Sequence, residues 1–468
     1  TNRLLVGSGT VGIGEITGEG GKLEFYAGGS QQWHIQTGGT LRPHTDKTHD
    51  LGGAARWLRA VFDWTGERRP DHYGTNTTPG TTSMATAVLD WLAALCARNY
   101  SVAATTRTHP DIRSPVTLDI SGTGSPMYRI RDVDDVALIP RKVSYTGTAF
   151  PILMNGASNG FRIKDGFVET AAFGVVIKPV LSTGGWAENG AVTGMSLQGS
   201  ATTATTALSY DGDTRNVATV GNIVKNFQRS GDSGDAFAFA VAGNNEAVPD
   251  SNTPTNDAEN LTFGFNVADN IAGAMFHVED DVRRIAYTFG VGRDINCGLQ
   301  IVNDYVPYLH NYIGNMIAGA AEDFIRSTGS GSAKDTNIAF NLLDGAGVTG
   351  TEDYAVRLGQ SATKNHNLIG NIYHDIDQAV GAFWSNAEGP LNFIAEIFDT
   401  ITGPCMTLAA DAVQASIGNC IFDGGTYGIV GSSTARTSPA TRRGILVQST
   451  NRFEGVTTDI VQKSQSAN

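Results

Sequence analysis

Short apolar runs restart at a nearly constant interval through the second half of the chain. Gly273-Ala-Met-Phe, Gly298-Leu-Gln-Ile, Gly381-Ala-Phe-Trp, Pro404-Cys-Met-Thr and Gly428-Ile-Val-Gly each open one, about every 24 residues. Weaker restarts at Glu322-Asp-Phe-Ile and Tyr354-Ala-Val-Arg fill the widest gap. A second marker keeps step with the first: Gly221-Asn-Ile-Val, Gly314-Asn-Met-Ile, Gly370-Asn-Ile-Tyr and Gly418-Asn-Cys-Ile. Runs such as Phe161-Arg-Ile, Val175-Val-Ile and Leu368-Ile are too short for helices, and Gly, Asn, Asp and Ser separate them. They read as strands bounded by turns. Three strands at about 3.3 Å per residue plus three turns consume roughly 20–25 residues. The period therefore predicts one coil of a β-solenoid, each strand paired in parallel with its copy above and below. Asn and Gly at the corners suit the left-handed backbone such turns need.

The fold class expected is all-β: a parallel β-helix (β-solenoid) with a small N-terminal β module and one capping helix. Residues 1–65 form the module, where Leu23-Glu-Phe-Tyr and Gln32-Trp-His-Ile alternate between paired glycines. Residues 66–110 carry the helix, over Thr82 to Arg98. Met84, Ala87, Val88, Trp91, Leu92 and Leu95 make its apolar stripe, and Thr82 or Ser83 caps it. Coils fill 111–431, irregular to about 235. Asn244 to Glu259 and the Gly/Ser-rich Ser327 to Asp335 read as excursions bordering a binding groove. Beyond Ser432 the period stops, and 432–468 are expected to form a terminal cap or a trimer-contacting segment.

Composition narrows the function classes. Glycine is abundant at 57 of 468 residues, and only 17% of residues are charged. A net charge of −13 argues against a general nucleic-acid binder or an anionic-membrane binder, both of which need basic surface. No apolar stretch approaches ~18 residues, so no membrane insertion is expected. No signal peptide is evident, and the start at Thr1 suggests an upstream segment was removed. Cys96, Cys297, Cys405 and Cys420 show no CxxC pairing. The last three fall at or beside apolar strand positions and are expected to be buried thiols, fitting synthesis in a reducing cytoplasm. His34, His44 and His49 match no metal template, and Gly7-Ser-Gly-Thr-Val-Gly-Ile-Gly lacks the strand–helix context of a phosphate loop. No cofactor or metal is implied.

Two segments carry a family resemblance. Asp50-Leu-Gly-Gly-Ala-Ala-Arg-Trp-Leu-Arg-Ala-Val-Phe resembles an element of bacteriophage tail fibres and tailspikes, with Arg56, Trp57, Val61 and Phe62 where that pattern has them. The stretch from His72-Tyr-Gly through the helix is similar to the opening of pectate-lyase-like right-handed β-helices. It departs from it in Thr81-Thr82-Ser83, where the family has an Asp-Asp-Thr cluster, and in lacking the following Pro-x-Gly-x-Tyr turn. The resemblance implies a right-handed solenoid in a homotrimer, joined to the phage tail or baseplate through the N-terminus. It also implies a place in the virion and action on a capsular or O-antigen polysaccharide at the bacterial surface.

Cleavage of such a glycan by hydrolysis needs two carboxylates, about 5–5.5 Å apart for retention or 6.5–9.5 Å for inversion. Coils stacked at about 4.8 Å supply the first spacing from equal positions in neighbouring coils. Aligning Gly273 with Gly298 sets Glu279 over Asp304 and Asp280 over Tyr305. Asp281 adds a further acid, and His277, Arg283 and Arg284 lie close by. Glu279 and Asp304 are the expected acid and base or nucleophile. Tyr305, Tyr308 and Trp186 are placed to stack on sugar rings, and Arg283 and Arg284 to bind an acidic sugar. The competing reading is a solvated acidic turn paired to the arginines. A lyase would instead use His277, Tyr287 or His310 as base, and a non-catalytic receptor-binding spike would use none of them. Trp186 with Glu188, and Tyr373, His374, Asp375 and Asp377, form two smaller polar-aromatic clusters.

Overall fold

The structure is a computed structural model. It describes short strands within the first 57 residues, a few residues between Gly74 and Ala87, and most of the chain from Ile112 to Gln462. The chain divides into two compact units, Thr1–Arg68 and Arg69–Asn468. The first contains a four-stranded antiparallel sheet built from Glu15–Ile16, Leu23–Ala27, Ser30–Ile35 and Leu41–Pro43. A two-residue ribbon, Gly52–Gly53 against Arg56–Trp57, follows. Of the expected helix, Thr86 and Ala87 are helical, Thr82 to Met84 are not, and the remainder lies outside the described residues.

The second unit is a parallel β-solenoid. Every strand pairing in it is parallel and joins successive coils. The ladders merge into a 15-stranded sheet on one face and a 24-stranded sheet that wraps the other two. A representative coil runs Ile223–Phe227 on the first face, Phe237–Ala242 on the second and Ala258–Gly264 on the third. In the next two coils the first two faces fuse into the long strands Val267–Glu279 and Val291–Val302.

Inward positions stack into unbroken apolar columns. Phe239, Phe276, Leu299, Ile325, Val356, Phe383 and Met406 follow one another on the second face, all buried. The weak restarts at Glu322 and Tyr354 do open strands, Ile325–Thr328 and Val356–Leu358. Cys297, Cys405 and Cys420 are buried free thiols in this core. Burial pushes Cys405 up to about 12 and Cys420 to about 11.

The corner from the third face to the first explains the Gly-Asn marker. The first residue there has positive φ, as at Gly221, Gly314 and Gly370. The asparagine after it turns inward and is buried. Asn341 Nδ2 donates to Tyr312 O (2.9 Å) and Asn371 Oδ1 (2.9 Å), while Asn341 Oδ1 accepts from Asn315 N (2.8 Å). Asn222, Asn266, Asn315 and Asn371 repeat the pattern, so a polar ladder satisfies backbone groups that the corner removes from the sheet. Two features differ from the sequence expectation. Asn419, with φ of 60°, takes the glycine position, so Cys420 and not an asparagine stands in the ladder. And the coil does not end near Ser432: Ile445–Val447, Arg452–Glu454 and Thr458–Gln462 add one more rung in register.

Candidate functional site

Side chains that alternate with the core positions on the second face form a column from consecutive coils, in which Ser209, Ala240 and His277 are buried. Ser209, Ala240, His277, Gln300, Arg326 and Arg357 stand in register. His277 is its centre. Its ring stacks on Phe237 with centroids 3.9 Å apart and an 11° interplanar angle. Nδ1 lies 3.2 Å from Gln300 Oε1, and Nε2 lies 3.5 Å from Glu279 Oε2. Glu279 shares that face because strand side chains alternate with a period of two. The hydrogen bond from His277 holds the Glu279 carboxyl below its ordinary range, outweighing the partial burial that pushes the other way. An ionised carboxylate suits a base or nucleophile; a general acid would need the opposite environment.

Glu279 ends its strand at the corner leading to the third face, which two columns flank. One runs Asp211, Ala242, Glu279, Val302. The other, opening the third face, runs Glu188, Arg215, Glu259, Arg283, Tyr308, with the four charges alternating in sign. Arg215 Nε donates to Glu188 Oε2 at 2.6 Å, and its guanidinium lies 4.5 Å over the Trp186 ring. Arg284, in left-handed backbone, is exposed and reaches Asn260 Oδ1 at 3.5 Å. Asp211 stands two rungs from Glu279, about 9.6 Å along the axis at about 4.8 Å per rung. That is at the upper edge of the separation that lets a water sit between two acids. Asp211 also accepts from Ser209 Oγ and pairs with Lys178 Nζ at 3.6 Å.

Trp186, His277, Glu279 and Arg283 thus flank one corner, although they are spread over nearly a hundred residues of sequence. Asp211, Arg215, Gln300 and Phe237 belong to the same neighbourhood and were not singled out from sequence. The signal for them is the spacing of the corner asparagines Asn189, Asn216 and Asn260, which hydrogen-bond in series and fix which residues share a column.

Glu279 stands over Val302, not over Asp304. The register shifts between Ile271 and Ala274, where a bulge lets Ala274 pair with Cys297. Equating Gly273 with Gly298 assumes an offset of 25 residues, whereas the strands pair at 24 before the bulge and 23 after it, so Glu279 is misplaced by two. Asp280, Asp281, Asp304 and Tyr305 lie outside the described residues, and Tyr308 is placed by its backbone alone. Tyr287 and His310 are in the core, so neither can serve as a lyase base. Burial raises the Tyr287 phenol well above its ordinary value and pushes His310 down to about 4. Of the smaller cluster, Tyr373 is interior, while His374 Nδ1 meets Asp399 Oδ2 at 2.9 Å on the first face. Asp377, His44 and His49 lie outside the described residues, and of His34 only the backbone is described.

No known protein family and no curated protein matches the chain. Among solved structures it is similar to tailspike protein 3 of bacteriophage CBA120 at 8% identity and a TM-score of 0.46. That match covers 84% of this chain and 62% of the other, so the chain spans less than two thirds of its length. It is similar to the Dettilon tailspike protein at 12% identity and a TM-score of 0.45, over 84% of this chain and 68% of that one. It is also similar to the catalytic unit of a GH87 α-1,3-glucanase from Streptomyces thermodiastaticus. There the identity is 13% and the TM-score 0.42, over 85% of this chain and 70% of the other.

Proposed function

We propose that the chain is a tailspike-like depolymerase. It binds a bacterial capsular or O-antigen polysaccharide along the solenoid and cleaves it internally by carboxylate-assisted hydrolysis. The observation that carries this reading is the Phe237–His277–Glu279 arrangement at the edge of a register-aligned face, beside the corner after which the Arg215 and Arg283 column begins. Columns of outward side chains at about 4.8 Å intervals form a long linear surface, which suits a chain of sugar units better than a compact ligand. Trp186 and Tyr308 supply stacking surface, and Arg283 and Arg284 supply charge for an acidic sugar. Glu279 acts as base or nucleophile. Its partner acid comes from Asp304, Asp280, Asp281 or, two rungs away, Asp211. Attachment to the phage tail through the N-terminal residues follows from the Asp50 to Phe62 element.

Glu279→Gln, assayed by the shrinkage of purified capsule on a sizing column, tests the assignment. We expect turnover to fall by at least about a hundredfold with the solenoid intact, the scale of a lost catalytic proton transfer. Amide variants of the four acids in parallel identify the partner. Undiminished cleavage by Glu279→Gln removes the residue from the mechanism. Binding of the polysaccharide without cleavage by the parent protein makes the chain a receptor-binding spike only.

A further inference from the structure

Where a cation of the solenoid meets another charge in register, that charge is elsewhere an acid. Lys225, Asp269 and Arg293 alternate on the first face, with Lys225 Nζ 3.6 Å from Asp269 Oδ2. Glu188, Arg215, Glu259 and Arg283 alternate on the third. That order follows from electrostatics, since like charges directly opposite in neighbouring strands repel. The second face breaks it. Arg326 and Arg357 occupy equal positions in adjacent coils, and among the described residues they are the one such pair of cations. At about 4.8 Å between rungs the two guanidinium groups repel each other, and the pair becomes favourable when both donate to one anion.

We infer that Arg326 and Arg357 together bind one carboxylate of an acidic sugar, at a fixed offset along the solenoid from the linkage held at Glu279. Both side chains are half-buried, so the charge is partly shielded from water and acts more strongly on a ligand. Asp323, only 1% exposed, lies behind them, its Oδ2 3.8 Å from Arg326 Nε, and anchors that guanidinium. Its negative charge offsets part of the positive pair, which suits a singly charged carboxylate better than a phosphate. The planar fork of each guanidinium also matches the two oxygens of a carboxylate.

Register fixes the offset. Arg326 and Arg357 continue the column of His277 and Gln300, two and three rungs beyond His277. At about 4.8 Å per rung that is about 9.6 and 14.4 Å along the axis, beyond the reach of a single sugar ring. The carboxylate therefore belongs to a different sugar of the same chain from the one at the cleaved linkage. Arg215 lies two coils to the other side of His277, so the glycan is held by charge on both sides of that linkage. A site that donates to a carboxylate discriminates strongly against an alcohol in its place. The offset rests on the reading of Glu279 as the cleavage residue; the carboxylate site does not.

The test measures binding of the full chain to purified capsular polysaccharide by biolayer interferometry. The polymer is used in native form and after chemical reduction of its carboxylates to alcohols. Arg357→Gln leaves the Asp323–Arg326 pair in place, so the circular dichroism should be unchanged. It should weaken binding of the native polymer by at least about tenfold, the scale of one lost hydrogen bond to a charged group. Binding of the reduced polymer should be weaker for the parent and unaffected by the substitution. Arg357→Lys, which keeps the charge without the fork, should fall between. Equal loss on both polymers, loss on neither, or a bound polymer that carries no carboxylate would overturn the inference. Inorganic phosphate is the third probe. If it binds the parent but not Arg357→Gln, while the parent binds both polymers equally, the site belongs to a free anion and the inference fails. Glu279→Gln separates the two readings: it should bind the native polymer as tightly as the parent, with the same dependence on Arg357. A parent that binds without cleaving removes the mechanism at Glu279 and leaves the carboxylate site standing, whereas one that binds no polysaccharide defeats both.

Discussion

Glu396 is the ionisable group most out of place in the solenoid. It occupies the ladder position that asparagine holds in earlier coils and is fully buried. Its carboxylate accepts from Asn371 N at 3.2 Å, from Asn371 Nδ2 at 3.1 Å and from Tyr373 Oη at 2.7 Å. Burial pushes it up from an ordinary 4.5 to about 7, and the hydrogen bonds offset only part of that rise. Between those values the folded chain holds a proton the unfolded chain has released. The associated stability is present below pH 4.5 and is lost as pH rises through about 7. At 1.36 kcal/mol per pH unit the total is about 3 kcal/mol, most of it lost between about pH 5 and pH 8. Glu396→Gln removes the titration while keeping an acceptor for Asn371 and an amide for Tyr373 Oη. For the unit Arg69–Asn468, unfolding entropy of roughly 2.1 cal/mol/K per residue converts this to about 3–4 °C. Thermal unfolding of parent and variant should therefore diverge on going from about pH 5 to about pH 8.5, the variant gaining about 3 °C relative to the parent. Differencing cancels the other titrating groups. Parallel Tm–pH curves would show that Glu396 does not bind this proton in the folded chain.

Other consequences follow from the same interior. Asn341→Ala strips a partner from Asn315 N, Asn315 Nδ2 and Tyr312 O; losing these buried bonds should destabilise the solenoid by about 3–5 kcal/mol, read by chemical denaturation. His310 and His366 are buried in the same inward column with Thr336 between them. Burial pushes both down to about 4, so their stability contribution is complete above pH 6.5 and is lost as pH falls toward 4. Replacing both by Leu should flatten the acid limb of the Tm–pH curve, and an unchanged acid limb would contradict this.

The architecture was legible because a β-solenoid repeats its constraints. Gly221, Gly314 and Gly370 mark corners that need positive φ, and the asparagines after them fill the ladder. Legibility failed where another residue met the same constraint. Phe265, Phe289 and Phe340 adopt a conformation sequence reasoning assigns to Gly and Asn, which hides three corners. At Gly290 the ladder has no side chain: an added Cβ would lie 2.8 Å from Met275 Cε, and Gly290 N donates instead to Asn315 Oδ1. Glu396 and Cys420 complete the ladder with side chains no motif would include. The site was half legible. His277 and Glu279 are legible as a local acid–base cluster, but Asp211 and Arg215 come to the same corner only through long-range register, and Asp304 is misaligned because the glycines do not share a register position and a bulge shifts the pairing further.

The most direct measurement is a crystal structure of Glu279→Gln soaked with capsule oligosaccharide. We expect a glycan lying along the coils, one linkage against residue 279 and His277, with its acidic groups toward Arg215 and Arg283. A glycan bound on another face, with the second face and its corner empty, would contradict this.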